Sequence, residues 1–289
     1  MKPTDFRLHH RLRVRWAEVD MQKIVFNPHY LMYFDCAIAD YWSALAMPYE
    51  AAMRQLDGDI FLRKTTVEFH ASARLDDRLD VALRCDRIGN SSMTFPGAIF
   101  RDGQLLSAGE LVYVFADPAT QTSRPVPAPL RALIEAYEAG HPVTRVQTGD
   151  WATLQQPASA VRTAVFVEEQ GIAREDEWDV ADQTAVHAVV TNLLGMPVAT
   201  GRLLHEGEPG SGTARIGRMA VDRALRGSGV GRQVVQALEQ AAFERGDRRI
   251  VLSAQRSAEG FYQRLGYTPY GEPYEDVGIP HVSMTRPLA

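Results

Sequence analysis

Two stretches of this chain combine residue types at spacings that suit attack on an acyl carbonyl. The first runs Asp20-Met-Gln-Lys-Ile-Val-Phe-Asn27-Pro28-His29-Tyr30 and brings a carboxylate through a tight loop to the start of a helix. Unpaired backbone N–H groups at a helix N-terminus polarise a carbonyl, and a nearby carboxylate attacks it or activates water. Thioester hydrolysis needs only those two parts. Asp is also an ordinary turn and cap residue, so both readings of Asp20 stand at this point. His29 is open in the same way, as a base or as a surface residue at the helix start.

The second stretch is Arg226-Gly227-Ser228-Gly229-Val230-Gly231, between an expected strand and an amphipathic helix. Glycines let the backbone approach an anion closely, and the first N–H groups of the following helix, with its dipole, stabilise a pyrophosphate. An unliganded tight turn of the same composition is the alternative. Tyr262, with an ordinary pKa of about 10, suits protonation of a departing thiolate or a place in the core.

The scaffold for these residues is legible from hydrophobic spacing. A short strand at 11–16 leads to a helix of about five turns over 29–46, with Leu31, Phe34, Ile38, Tyr41 or Trp42 and Leu45 on one face. Strands follow at 63–73, 79–88, 93–100 and 104–115, separated by turn residues, and the chain then becomes proline-rich. A short helix around Leu130–Tyr137 ends at Gly140-His141-Pro142, which sets a domain boundary of 1–142 and 143–289. The second part opens with a helix around Ala160–Val165. It then reads as strands at 187–194, 197–204 and 214–221, an amphipathic helix carrying Val234, Val235 and Leu238, a strand at 250–253 and a short helix around Phe261.

The 289 residues are enough for two domains, and 45% apolar with 23% charged residues is a globular composition. No apolar run is long enough to span a bilayer and the start lacks a signal-peptide core, which predicts a cytoplasmic protein without membrane partners. Two cysteines, Cys36 and Cys85, are too few for a disulfide framework or a four-cysteine metal site, and each lies in an apolar stretch where a buried thiol is expected. A formal charge of −5 argues against a nucleic-acid partner. No metal is expected.

The stretch from Asp20 to Tyr30 resembles the signature of the 4-hydroxybenzoyl-CoA thioesterase family of hotdog proteins, Asp-x-x-Gly-Ile-Val-aromatic-x-Pro-x-Tyr. Tyr33-Phe34-Asp35, Asp77 and Gly89 with Ser92 extend the likeness over about 6–139. The resemblance implies an α+β hotdog domain with Asp20 as nucleophile or general base and the Asn27 N–H polarising the thioester. It also implies at least a homodimer. Lys23 stands where the family usually has Gly, and Asn27 where some branches have His or Tyr.

The stretch from Ile216 through Met219 and Val221 to Gly231 resembles the acetyl-CoA-binding motif of the GNAT superfamily, as Gln255-Arg-Ser-Ala258-Glu-Gly-Phe261-Tyr262 resembles its Asn-x-x-Ala-x-x-Phe-Tyr segment. An α/β GNAT domain over about 145–287 is implied. Met219 and Val221 would offer backbone hydrogen bonds to pantetheine, Arg226, Gly227, Ser228, Gly229, Val230 and Gly231 would hold the pyrophosphate, and Tyr262 would be the acid. A narrower likeness to a GNAT branch of unassigned substrate rests on Arg162, Phe166, Glu168-Glu169-Gln170, Asp179, Asp182, His187 and Gly278-Ile-Pro-His281. Those polar residues would flank an amine acceptor, with Glu168 and His281 as candidates for binding it or removing its proton. The expectation is therefore a bifunctional protein using acetyl-CoA or another acyl-CoA. The alternative is a GNAT enzyme with a non-catalytic hotdog module for dimerisation or acyl-CoA sensing.

Overall fold

Alternating burial along the strands builds two separate sheets, one in each of two units, Met1–Val143 and Thr144–Ala289. The computed structural model describes residues 1–208, 210–276 and 278–288. Among them no helix is long and apolar enough to cross a membrane.

In the first unit β1 (Leu8–Arg13) precedes α1 (Pro28–Ala44) and α2 (Tyr49–Gln55). β2 (Asp59–Phe69), β3 (Arg78–Leu83), β4 (Arg87–Ile88), β5 (Ser92–Arg101), β6 (Gln104–Ala116) and α3 (Ala128–Glu138) follow. The sheet is antiparallel in the order β1-β3-β5-β6-β2, with the short β4 also paired to β5. Pro28 at the first helical position opens α1, since its missing N–H costs nothing there. Ala46, at φ 51°, and Pro48 then turn the chain away from the helix.

The seat of α1 on the sheet depends on two glycines. Gly97 of β5 and Gly109 of β6 are register partners. A Cβ on either would come within 2.5 and 2.9 Å of the ring of Phe34, which is fully buried. The buried face of α1 is Tyr30, Tyr33, Phe34, Ala37, Ile38, Tyr41 and Trp42. Leu31, expected on that face, is 40% exposed, because the aromatic residues at 30, 33, 34 and 41 set the phase of the stripe.

Cys36 is a second correction, exposed on α1 rather than buried. Cys85 is half-buried, and burial with the nearby Glu138 carboxylate pushes its thiol up to about 12. The edge strand β2 leaves Phe61, Leu62 and Phe69 exposed.

The second unit starts with β7 (Thr144–Gly149), which lacks the apolar alternation that would announce it. α4 (Trp151–Arg162) is capped by Asp150, whose carboxylate accepts the Thr153 N–H at 2.9 Å, and runs into a π-helical turn, Thr163–Glu169. Then come α5 (Arg174–Glu177), β8 (Val186–Asn192), β9 (Pro197–His205), β10 (Thr213–Val221), α6 (Val230–Arg245), β11 (Arg249–Gln255), α7 (Glu259–Arg264), β12 (Thr268–Asp276) and β13 (Ile279–Pro287).

The sheet order is β12-β13-β11-β10-β9-β8-β7, and β10 with β11 is its parallel pair. α4 and α6 both pack against β8, β9 and β10. The unbroken burial of β9 from Val198 to Leu203 shows that both of its faces are covered. His281 lies on β13, an interior strand between β12 and β11, rather than at a strand edge.

Replacing Gly97 with Val should drive the new side chain into Phe34 and cost about 1–3 kcal/mol of stability. Denaturant unfolding measures this, and an unchanged midpoint contradicts the close seat of α1 on the sheet.

Candidate functional site

The loop before α1 folds back on itself through a bridge between Val19 and Val25. Asp20 N–H donates to the Ile24 carbonyl at 2.9 Å, and Lys23 N–H donates to the Asp20 carbonyl at 3.0 Å. Lys23 has φ 61°, the left-handed conformation that Gly adopts without cost, so the lysine keeps the turn at the expense of strain. One carboxylate oxygen of the half-buried Asp20 accepts the Gln22 N–H at 2.8 Å. Asp20 is thus a turn residue with its other oxygen unengaged among the described residues.

Asn27, exposed, precedes α1 with helical φ and ψ and makes no side-chain cap. Its N–H has no partner among the described residues, as an oxyanion donor requires. His29 meets Phe26 edge-on at 6.3 Å between ring centres.

Glu18, which sequence reasoning passed over, anchors this loop from below. It is 2% exposed and accepts the Tyr33 hydroxyl and the Arg15 N–H, each at 2.8 Å, and the Arg15 Nε at 2.6 Å. Burial alone would raise its pKa, but those hydrogen bonds outweigh burial and hold it below the ordinary carboxylate value. Its backbone carbonyl also takes the Phe26 N–H at 2.9 Å. The available signal was Tyr33, a hydroxyl on the buried face of a helix that needs a partner nearby.

In the second unit β10 runs beside β11 only from Thr213 to Ile216. Its pairing with β9 skips one residue between Gly217 and Ala220, a β-bulge in which Arg218 has φ 50°. From Gly217 to Val221, including Met219, the β11 side of the strand therefore has no strand partner among the described residues.

Beyond β10 the chain turns at Gly227 (φ 89°) and Gly229 (φ 96°) into α6. Ser228 N–H and hydroxyl both donate to the Leu225 carbonyl, at 3.1 and 2.7 Å. The N–H groups of Gly227, Gly229, Val230 and Gly231 have no partner among the described residues, which leaves a run of donors at the positive end of a 16-residue helix. The Arg226 guanidinium is engaged by Glu169 at 2.6 and 2.7 Å.

Tyr262 on α7 is buried between Phe261 and Tyr267, and burial raises its pKa. Its hydroxyl has no protein partner among the described residues. Glu168 is exposed at the end of the π turn. His281 is nearly buried, donates through Nδ1–H to the Ile279 carbonyl (2.7 Å), and stacks on Tyr274 at 5.9 Å. Tyr274 in turn shares a short hydrogen bond with Ser253. Gln255 lies opposite His281 and donates to the Gln170 side chain at 3.3 Å, so the end of the segment carrying Glu168 is tied next to His281.

The other polar residues expected to flank an acceptor are spent elsewhere. Arg162 is 1% exposed, donates to Glu177 at 2.5 Å and to Asp182 at 2.8 Å, and lies over the rings of Trp151 and Trp178. Arg202 grips both oxygens of Asp179 at 2.7 Å and reaches Asp182 at 2.7 Å. For Asp182 burial works against charge, but Arg162 and Arg202 prevail and lower its pKa. His187 is buried against Trp151, and its Nε2 meets the Asp182 carbonyl at 2.9 Å. A charged group out of water must be paired, and these residues pair with one another.

Comparison with known proteins follows the same division. Residues 14–134 match the model of the thioesterase-like superfamily, and residues 164–288 match that of the acetyltransferase (GNAT) domain. YjcF of Bacillus subtilis (strain 168), described as an uncharacterised N-acetyltransferase, is 35% identical over 127 residues, 44% of this chain and 87% of that protein. ElaA of Escherichia coli (strain K12) is 37% identical over 131 residues, 44% of this chain and 82% of that protein. A solved structure from Jannaschia sp. CCS1, described as thioesterase superfamily, is 26% identical, covers 47% of this chain and 94% of its own, and superposes with a TM-score of 0.43.

Burial lowers the pKa of His187 from its ordinary 6.5. Below pH 6.5 the unfolded chain therefore binds a proton that the folded chain refuses, and stability falls as pH drops from 6.5 toward the folded value. Thermal unfolding should show this loss as the pH falls below 6.5 in the wild type and a flatter profile in His187→Gln. Identical slopes would contradict a neutral, buried imidazole.

Proposed function

For a chain that belongs to the GNAT acetyltransferase family through its second unit and carries a thioesterase-like hotdog domain as its first, we propose a bifunctional use of acyl-CoA. The second unit transfers an acyl group, acetyl in the simplest case, from CoA to an amine. The first hydrolyses a CoA thioester. The observation that carries the reading is the opening of β10 away from β11 beside the unpartnered N–H groups of Gly227, Gly229, Val230 and Gly231.

Pyrophosphate oxygens would accept from those N–H groups, and pantetheine amides would pair with the backbone of Met219 and Val221, as another strand would. This aligns the thioester along the free stretch of β10. The acceptor amine then attacks the carbonyl carbon, so that a C–N bond forms and the C–S bond breaks. Tyr262 donates its hydroxyl proton to the leaving thiolate, a proton that burial keeps in place until then. The amine proton passes to His281 or Glu168, a reading supported by the hydrogen bond from Gln255, the register partner of His281, to Gln170, two residues beyond Glu168.

In the first unit Asp20 would take a proton from water as the oxygen attacks the thioester carbon, with the Asn27 N–H holding the developing oxyanion. A carboxylic acid and the CoA thiol result. The unpaired edge and exposed Phe61, Leu62 and Phe69 of β2 support pairing with a second copy, which gives at least a homodimer. A specific observation also supports a second reading, in which this unit binds acyl-CoA or dimerises without turnover. One Asp20 oxygen is already taken by Gln22, and Lys23 strains the turn.

Two measurements test the proposal. Tyr262→Phe should lower kcat for acetyl transfer by roughly 10²-fold or more with little change in KM for acetyl-CoA, and an unchanged kcat removes Tyr262 as the acid. Asp20→Asn should abolish thiol release from an acyl-CoA panel while acetyl transfer persists. Equal release by the mutant removes Asp20 from the mechanism, and no release by the wild type favours the non-catalytic module.

A further inference from the structure

The parting of β10 from β11 needs something to hold it. Arg218, at the bulge, adopts a left-handed backbone that L side chains rarely choose, immediately before the residue expected to face pantetheine. Its side chain accounts for that choice. Arg218 Nε donates to the Glu177 carbonyl at 3.2 Å and lies 3.4 Å from a carboxylate oxygen of the same residue, and the terminal nitrogen donates to Asp179 at 3.4 Å.

Glu177 and Asp179 are themselves fixed. Arg162 holds the Glu177 carboxylate and also donates to its carbonyl at 2.8 Å, while Arg202 holds Asp179 by two hydrogen bonds. Arg202 lies directly opposite Gly217 on β9, the last paired residue before the bulge. Three arginines and three carboxylates therefore connect the end of α4, the segment around α5 and the bulge in β10, with no net charge.

The cluster is also graded in depth. Arg162, Glu177 and Asp182 are 1–2% exposed, whereas the side chains of Arg218 and Asp179 are 31% and 37% exposed. At the buried end the loss of one partner would strand a charge out of water. The outer end contributes chiefly a direction for the strand, because a partly hydrated ion pair adds little stability.

We propose that Arg218 is a positioning residue for acyl-CoA, one that tethers the bulge to Glu177 and Asp179 so that Met219 to Val221 stay turned from β11 and open to pantetheine. The same tether joins the donor strand to the segment that follows Arg162, which carries Glu168. Both substrates are thereby registered by one set of charges. The inference rests on the acyl-CoA reading of this unit, and the role is indirect, through the backbone of residues 219 to 221.

The full-length protein tests it by isothermal titration with CoA and acetyl-CoA, alongside thermal unfolding. Arg218→Met should weaken acetyl-CoA binding roughly tenfold, the scale of one charge-assisted hydrogen bond, while the unfolding temperature stays within a few degrees of wild type. Arg218→Lys should recover part of the affinity, since an ammonium reaches one partner in place of a fork of donors.

Arg218→Gly separates tether from backbone, because Gly adopts the same φ without strain but has no side chain to hold it. Weakened binding by the Gly variant supports the tether. Wild-type affinity in either the Gly or the Met variant overturns it, as does a fall in unfolding temperature large enough to account for the lost binding in both. A wild-type protein that binds neither CoA nor acetyl-CoA instead overturns the reading on which the proposal stands.

Discussion

A peptide N–H or carbonyl withdrawn from its neighbours must find another partner or remain in water, and that requirement organises the second unit. β10 gives up pairing with β11 after Ile216, and the loop into α6 leaves the N–H groups from Gly227 to Gly231 largely unspent. The two sets of unspent groups flank one short connection. A ligand that carries both amides and phosphates would satisfy them together, which is the basis for the single site proposed above. The first unit uses the same economy on a smaller scale, with the Asn27 N–H free at the head of α1.

Free backbone groups are useful only if the backbone holds still, and in each unit a buried charge supplies that stillness. Glu18 ties the loop around Asp20 to Arg15 and Tyr33. Arg162, Glu177, Asp182 and Arg202 tie α4, the segment around α5 and β9 together, and Arg218 joins the opened strand to Glu177. Removing one partner from such a group costs far more than a surface ion pair is worth, because the remaining charge is stranded out of water. The clusters therefore join the elements that carry the proposed site residues.

Both fold classes were legible in the amino-acid pattern, because they rest on local features. Alternating apolar residues mark β5 and β6, the Gly-rich turn marks the entry to α6, and Phe261-Tyr262 marks α7. What escaped depends on distant partners. β7 and β12 are edge strands that bury little, so their sequences carry no period. The phase of α1 follows from the Gly97 and Gly109 seat for Phe34, invisible from the helix alone, and with it went the placement of Leu31 and Cys36. Arg162, Asp179, Asp182 and His187 looked like free polar groups because sequence cannot show that each pairs with another. Glu18 and Arg218 were silent for the same reason.

The central claim is that an acyl-CoA thioester lies along the open stretch of β10 with its phosphates at the head of α6. Hydrogen exchange of the full chain with and without acetyl-CoA tests it most directly, since amides that gain a ligand oxygen exchange more slowly. Slower exchange concentrated in peptides covering residues 217 to 231 is the predicted result. Unaltered exchange across that stretch at saturating acetyl-CoA would contradict the account.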